Sequence, residues 1–349
     1  MAITKKLFGK TADGIRVDLY TLSNNSGLAV EVMTYGATLT SVATPDRHGK
    51  SENITLGMAT LDEYLAGHPF FGSIAGRFAN RIAEGRFSID GRQYTLATNN
   101  GPHHLHGGNV GFDKKVWAAE TIEEDDCAVL QLSYQSPDGE EGYPGTLLAS
   151  ATYMLSDDDQ LMMAYTATTD KPTHVNLTNH AYWNLSGQTG GDVLDHELTI
   201  DADNYLEVDE GLVPLGPPSP VAGTEMDFTQ AQTIGSRIAQ TDGGYDHCYV
   251  LNKEPEDLEA KILTPTALVH DPKSGRVMEV YSTQPGVQLY TANFLDGGPR
   301  SGGFTRHAGL CLETQHYPDS PNRPEYPSTL LVPGETYEEV TVHKFGVKK

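Results

Sequence analysis

Helical periodicity is almost absent from this chain, whereas the two-residue alternation of β-strands recurs from end to end, and that contrast narrows the fold first. In TLLASATYML, Leu147, Ala149, Ala151, Tyr153 and Leu155 fall on one face, and after the turn SDDDQ the run LMMAYTATT returns as its expected partner. RVDLYTL and LAVEVMTY alternate around the turn SNNSG. FSIDGRQYTL reads as a hairpin, because Asp90-Gly91 accepts the positive φ angles of a tight primed turn. Only LDEYLAG (Leu61–Gly67) and IGSRIAQ (Ile234–Gln240) suit helix, each for a turn or two. The 36 glycines and 20 prolines supply the turns that many short strands require. A chain of 349 residues suits two average domains or one large sandwich. No linker or internal repeat stands out, so the expectation is all-β: one domain over residues 1–349, a large antiparallel β-sandwich with only short helices.

The formal net charge is −23, from 24 basic and 47 acidic residues. Such a surface repels phosphate backbones and anionic lipids, so nucleic acid and membrane are not expected partners, and a neutral or cationic ligand is. The acidic clusters Glu123–Asp126 and Asp157–Asp159 read as solvated turn tips. Cys127, Cys248 and Cys311 lie far apart with no CxxC pair, which fits reduced thiols and a cytoplasmic location. The N-terminal MAITKKLFGKTADGIRV has lysines but no apolar run behind them, and no window approaches the ~18 apolar residues of a membrane span.

Candidate acids and bases fall into four islands: NNGPHHLHGG, VNLTNHAYWNLSG with His180, GGYDHCYVL with Asp246, and GLCLETQHYPDSPNRPEYPS with Glu313. Their even spacing suits a site assembled from separate strands across one sheet face. His103, His104 and His106 invite a zinc reading. Yet adjacent His103 and His104 would point opposite ways on a strand, and no Cys or Glu nearby completes a set, so a Gly-rich loop with one working histidine is preferred. Alone, His180 reads as a hydrogen-bonded core histidine and Asp246 as a turn anchor. Glu313 ends the apolar run LCLET, where an unpaired buried carboxylate costs several kcal/mol, so it is paired, exposed or functional. In FFGSIAGRFANRIAEGRF, Arg77 and Arg81 suggest an arginine fork for hydroxyls or a carboxylate, since both nucleotide-loop signatures are missing. No G-x-S-x-G elbow appears either.

Six segments, AGRFANRIAEGRFSIDG, HHLHGG, VNLTNHAYWNLSG, YDHCYVL, PGVQLYTANFL and LCLETQHYPDSPNRPEYPSTLLVPGETY, together resemble the aldose 1-epimerase (galactose mutarotase) family, in family order from about Gly36 to near the C-terminus. The resemblance implies a sugar cleft across one sheet of a β-sandwich, no metal or organic cofactor, and interconversion of the α and β anomers of an aldohexose such as galactose or glucose. By motif, Glu313 is the implied general base, His180 the general acid, and His106 a second histidine near the ring oxygen. Arg81, Asn80 and Asp246 are implied to hold hydroxyls, with Gln288 as a further polar contact. Tyr182, Trp183 and Phe294 offer aromatic faces, and Asn179 and Asn184 read as orienting groups. The expected partner is a monosaccharide, and the chain is expected as a monomer or homodimer. The competing readings are a glycoside hydrolase using Asp246 with Glu313 and a non-catalytic carbohydrate-binding sandwich.

Overall fold

The computed structural model describes residues 1–124 and 126–349; Asp125, within the first acidic cluster, lies outside the described residues. Strands dominate and pair antiparallel. The long strands Leu147–Ser156 and Gln160–Thr169 form the predicted hairpin, with Leu147 opposite Thr169 and Leu155 opposite Leu161. Every residue assigned above to the inner face of Leu147–Ser156 is buried, because an alternating strand can bury its whole apolar set only by turning one face inward. These two strands sit in a nine-stranded sheet that runs from Ala118–Glu123 to Gln232–Thr233 and includes the C-terminal strand Tyr337–Val347.

A second, five-stranded sheet is made by the N-terminal residues Ala2–Asn53, where Leu22 faces Val30 as the alternation required. The turn of the Arg86–Thr95 hairpin has Asp90 at φ 50° and Gly91 at φ 77°, the two left-handed residues of the expected primed turn. Helix is confined to short pieces. Leu61–Leu65 is held by a capping box in which the Thr60 side chain accepts from the Glu63 N–H and Glu63 reaches back to the cap. Ile234–Ser236 and Ile238–Gln240 are single 3₁₀ turns.

A third sheet carries the chemistry, with strand order Ser219–Pro220, Asn204–Tyr205, Asp246–Val250, Gly286–Tyr290, Cys311–Gln315. Tyr249, Val287, Leu289 and Leu312 on one face join the main apolar core. The register pairs Asp246 with Tyr290, Tyr290 with Cys311, and Gln288 with Glu313. Directly opposed residues share a face, so these five polar and aromatic side chains all project from the other side.

Candidate active site

Over that second face lies a cavity of about 160 Å³, lined by thirteen residues including Phe70, Asn80, Arg81, His106, His180, Tyr182, Asp246, Tyr290, Phe294 and Glu313. It is small beside ordinary ligand pockets. A wider cleft of about 620 Å³ adjoins it through the shared residues Asp246 and Phe294. A third cleft, of about 750 Å³ beside the N-terminal sheet, lacks any such convergence of histidines and carboxylates.

Glu313 and Asp246 come from sheet strands, but the two histidines come from irregular backbone beside them. His106 follows the two-residue strand His104–Leu105 and has φ 48°. Gly107 then takes φ 87°, and a Cβ there would lie 1.7 Å from the Gly76 carbonyl oxygen, so only glycine allows the loop to turn against the preceding segment. The Asn80 backbone N–H donates to His106 Nδ1 at 3.1 Å, which leaves the proton of the neutral ring on Nε2. His180 follows the short strand Thr178–Asn179 and donates its backbone N–H to the Ser73 carbonyl at 3.0 Å, so VNLTNHAYWNLSG is tied to its neighbours by single bridges rather than one long ladder.

His180 Nε2 stands 3.7 Å from Glu313 Oε1, and both side chains are buried. Glu313 Oε2 is buried with no hydrogen-bond partner among the described residues. Burial, reinforced by the Asp246 carboxylate and opposed by Arg81, pushes the Glu313 carboxyl well above the usual carboxylate range. Burial alone drives His180 down to about 4. Burial, with His180 and Arg81 nearby, also lowers His106 well below its ordinary value. Burial thus disfavours the charged form of each partner, the Glu313 carboxylate and the His180 imidazolium alike.

Around this pair the polar contacts are pre-set. Asn80, at φ 64°, accepts the Arg81 backbone N–H through Oδ1 at 2.8 Å. The Arg81 side chain donates through Nε to Asn100 Oδ1 at 3.2 Å and lies 3.9 Å from Asp246 Oδ2. Gln288 does not line the cavity; its Nε2 donates to Asp246 Oδ1 at 2.7 Å, so it braces that carboxylate from beneath. His106, His180 and Glu313 each offer a ligand atom within 4.8 Å of the others, a donor set chemically suited to zinc. An ion held there would occupy the lone pairs that proton transfer uses.

Three sequence expectations are corrected by these contacts. Arg77 belongs to no fork with Arg81: it is buried and donates to the Pro144 and Gly145 carbonyls and to Ser136, holding the 136–145 loop. Trp183 is no wall of the pocket but packs in the core against His343, ring centroids 4.9 Å apart. Asn179 and Asn184 donate to the carbonyls of Gly72 and of Gly191 and Ala308, so they fix backbone rather than ligand. His104 is likewise structural, held between the Ala97 carbonyl and the Tyr143 hydroxyl at 2.7 Å each. Sequence reasoning also passed over Phe70, Asn100 and Tyr290. Tyr290 was readable as the same-face neighbour of Gln288, two residues on; Phe70 sends no such signal.

A site with two imidazoles and a carboxylate over one sheet, flanked by arginine and amide donors, is equipped for acid–base chemistry on a polar ligand. The sequence profile described as aldose 1-epimerase matches residues 18–344, and the chain belongs to that family. The galactose mutarotase of Sus scrofa is 43% identical over 352 residues, 99% of each chain. The aldose 1-epimerase of Escherichia coli (strain K12) is 40% identical over 342 residues, 95% of this chain and 96% of the other. The crystal structure of galactose 1-epimerase from Lactobacillus acidophilus NCFM superposes with a TM-score of 0.88 at 29% identity, covering 100% of this chain and 99% of that one. No helix among the described residues is long and apolar enough to cross a membrane.

Proposed function

We propose that this pocket interconverts the α and β anomers of a free aldohexose, with Glu313 as general base and His180 as general acid. The observation that carries the assignment is the facing pair itself: Oε1 and Nε2 are 3.7 Å apart at the cavity wall, with a second, unpartnered Glu313 oxygen beside them. Glu313 takes the proton of the C1 hydroxyl while protonated His180 delivers one to the ring oxygen. The C1–ring-oxygen bond breaks and the C1 carbonyl forms. Rotation about C1–C2 presents the other carbonyl face, and reclosure returns both protons to their donors. The starting state, carboxylate with imidazolium, holds the same single proton as the neutral pair that burial favours. A sugar's hydroxyls need only move that proton from Glu313 to His180, and neither group is locked into one ionisation state.

His106, with its proton on Nε2, donates to the ring oxygen or a neighbouring hydroxyl. Asn80, Arg81 and Asp246 hold further hydroxyls, and Gln288 acts through Asp246. Galactose and glucose are the aldoses the pocket is proposed to accept, in a one-domain cytoplasmic protein that is a monomer or a homodimer. The hydrolase reading is less well supported, because the partner facing Glu313 is an imidazole and Asp246 is already engaged by Gln288 and Arg81.

Polarimetry on freshly dissolved α-D-galactose or α-D-glucose tests the proposal. The protein should speed the approach to an unchanged final rotation, and His180→Asn should remove most of that acceleration. Free monosaccharide that mutarotates no faster with protein than without would leave a hydrolase or a simple sugar binder.

A further inference from the structure

The His180 ring is clamped on both faces. Phe70 stacks on one side with centroids 5.8 Å apart and 16° between planes, and Tyr182 stacks with centroids 5.0 Å apart at 17°. Stacking fixes the plane of an imidazole but not its rotation within that plane, which decides whether a nitrogen or a carbon meets the carboxylate. Only contacts at the ring edge can settle that. One edge atom, Nε2, faces Glu313 Oε1. The other, Nδ1, lies 3.5 Å from Cys311 Sγ, within reach of a sulfur hydrogen bond. Cys311 and Glu313 are alternate residues of one strand, so they share a face roughly 7 Å apart along it. A single strand face therefore reads both nitrogens of the ring.

We propose that Cys311 is the positioning residue for the proton donor: its thiol holds Nδ1 of His180 so that Nε2 faces Glu313 in both protonation states of the ring. This rests on the reading of His180 as the acid. A thiol suits the task because its sulfur is a weak, uncharged acceptor. Its sulfur accepts Nδ1–H from the imidazolium and, once Nε2 has given up its proton, from the neutral ring as well. A carboxylate in that place would favour the imidazolium and hold the proton back. Cys311 is fully buried, and burial, with Glu313 nearby, keeps its thiol well above the ordinary range and so protonated. The other titratable groups around His180 are Glu313, His106, His68, Tyr182 and Tyr290.

Cys311→Ala and Cys311→Ser separate this role from packing. The alanine variant should lose about tenfold in kcat, the scale on which orienting partners act, with KM within twofold and a displaced kcat–pH profile. Serine, whose hydroxyl oxygen also accepts, should restore most of kcat. In ¹⁵N spectra of the free protein, the neutral His180 signals should show the Nδ1-protonated tautomer in the parent and a mixture of tautomers in Cys311→Ala. Parent-like kcat and pH profile in Cys311→Ala would overturn the proposal. So would a serine variant as slow as alanine, since bulk alone would then explain the loss. Full activity in His180→Asn would instead remove the acid assignment, an outcome read independently of Cys311.

Discussion

Two glutamates of this molecule are almost equally buried, Glu313 at 2% and Glu339 at 1% exposure, yet their surroundings make them opposites. Burial raises both. At Glu339 it is outweighed by the His316 hydrogen bond and the Lys261 charge, which hold that carboxyl below its usual range. Thr283 donates to its second oxygen, so both oxygens of Glu339 are engaged. Around Glu313 the nearest strong influence after burial is another carboxylate, Asp246, and one oxygen is left without a partner. A buried carboxylate with satisfied oxygens is a strut; one held short of partners is ready to exchange a proton. Burial is common to the two, and pairing separates them.

The largest effect should come from Glu313→Gln. Polarimetry should show kcat falling about 10³-fold, within the range for a general base. The sign for stability is the reverse of an ordinary charge deletion. Because the folded carboxyl lies above its unfolded value, its favourable contribution is lost as pH rises, so thermal unfolding should favour the glutamine variant increasingly toward alkaline pH. Glu339→Gln should do the opposite. Activity per folded molecule should hold, while stability at neutral pH falls by about 2 kcal/mol, less than for a fully buried pair because Lys261 is partly exposed. That deficit should shrink as pH falls below the unfolded carboxyl range toward the lowered folded value, where native Glu339 at last loses its charge. If Glu339→Gln proved slow but stable, the contrast between the two sites would break.

His343 sharpens the same comparison among imidazoles. It is as dry as His180, burial drives it to about 3, and both its nitrogens lack partners, but it packs on Trp183 outside the pocket. Its neutral form stabilises the native state above the unfolded histidine value near 6.5, and that contribution is lost as pH falls toward 3. His343→Leu should therefore leave kcat unchanged and gain on the order of 2 kcal/mol relative to the parent at pH 5 in chemical denaturation. The smallest effect is expected at Phe294, 71% exposed at the cavity lip and stacked on Tyr290. Phe294→Ala should raise KM a few-fold at constant kcat, matching about 1 kcal/mol for an aromatic contact.

The hairpins at Asp90-Gly91 and Leu147–Thr169 were legible because turn chemistry and alternation act over a few neighbouring residues. Glu313 was legible for a related reason: a carboxylate at the end of an apolar run has few inert explanations, although in the fold it sits mid-strand in Cys311–Gln315. Gln288 and Arg77 were less so. Each sits in a quoted motif, but their placement beneath Asp246 and against the 136–145 loop depends on strands and carbonyls far away in the chain.

The amino-acid sequence by itself determined that this protein would be β-rich, where its tight turns fall, and which face of its long strands would be buried, since period and turn type are local properties. Its motifs also carried the family resemblance and the candidate acid, base and hydroxyl-binding residues. Only the tertiary structure decided that Glu313 and Glu339, alike in one dimension, would meet a bare pocket and a lysine respectively. It also decided that Phe70, Tyr182 and Cys311 would together surround one imidazole. Protonation and orientation follow from what lies within a few ångströms of an atom, and strand register brings those neighbours from remote parts of the chain.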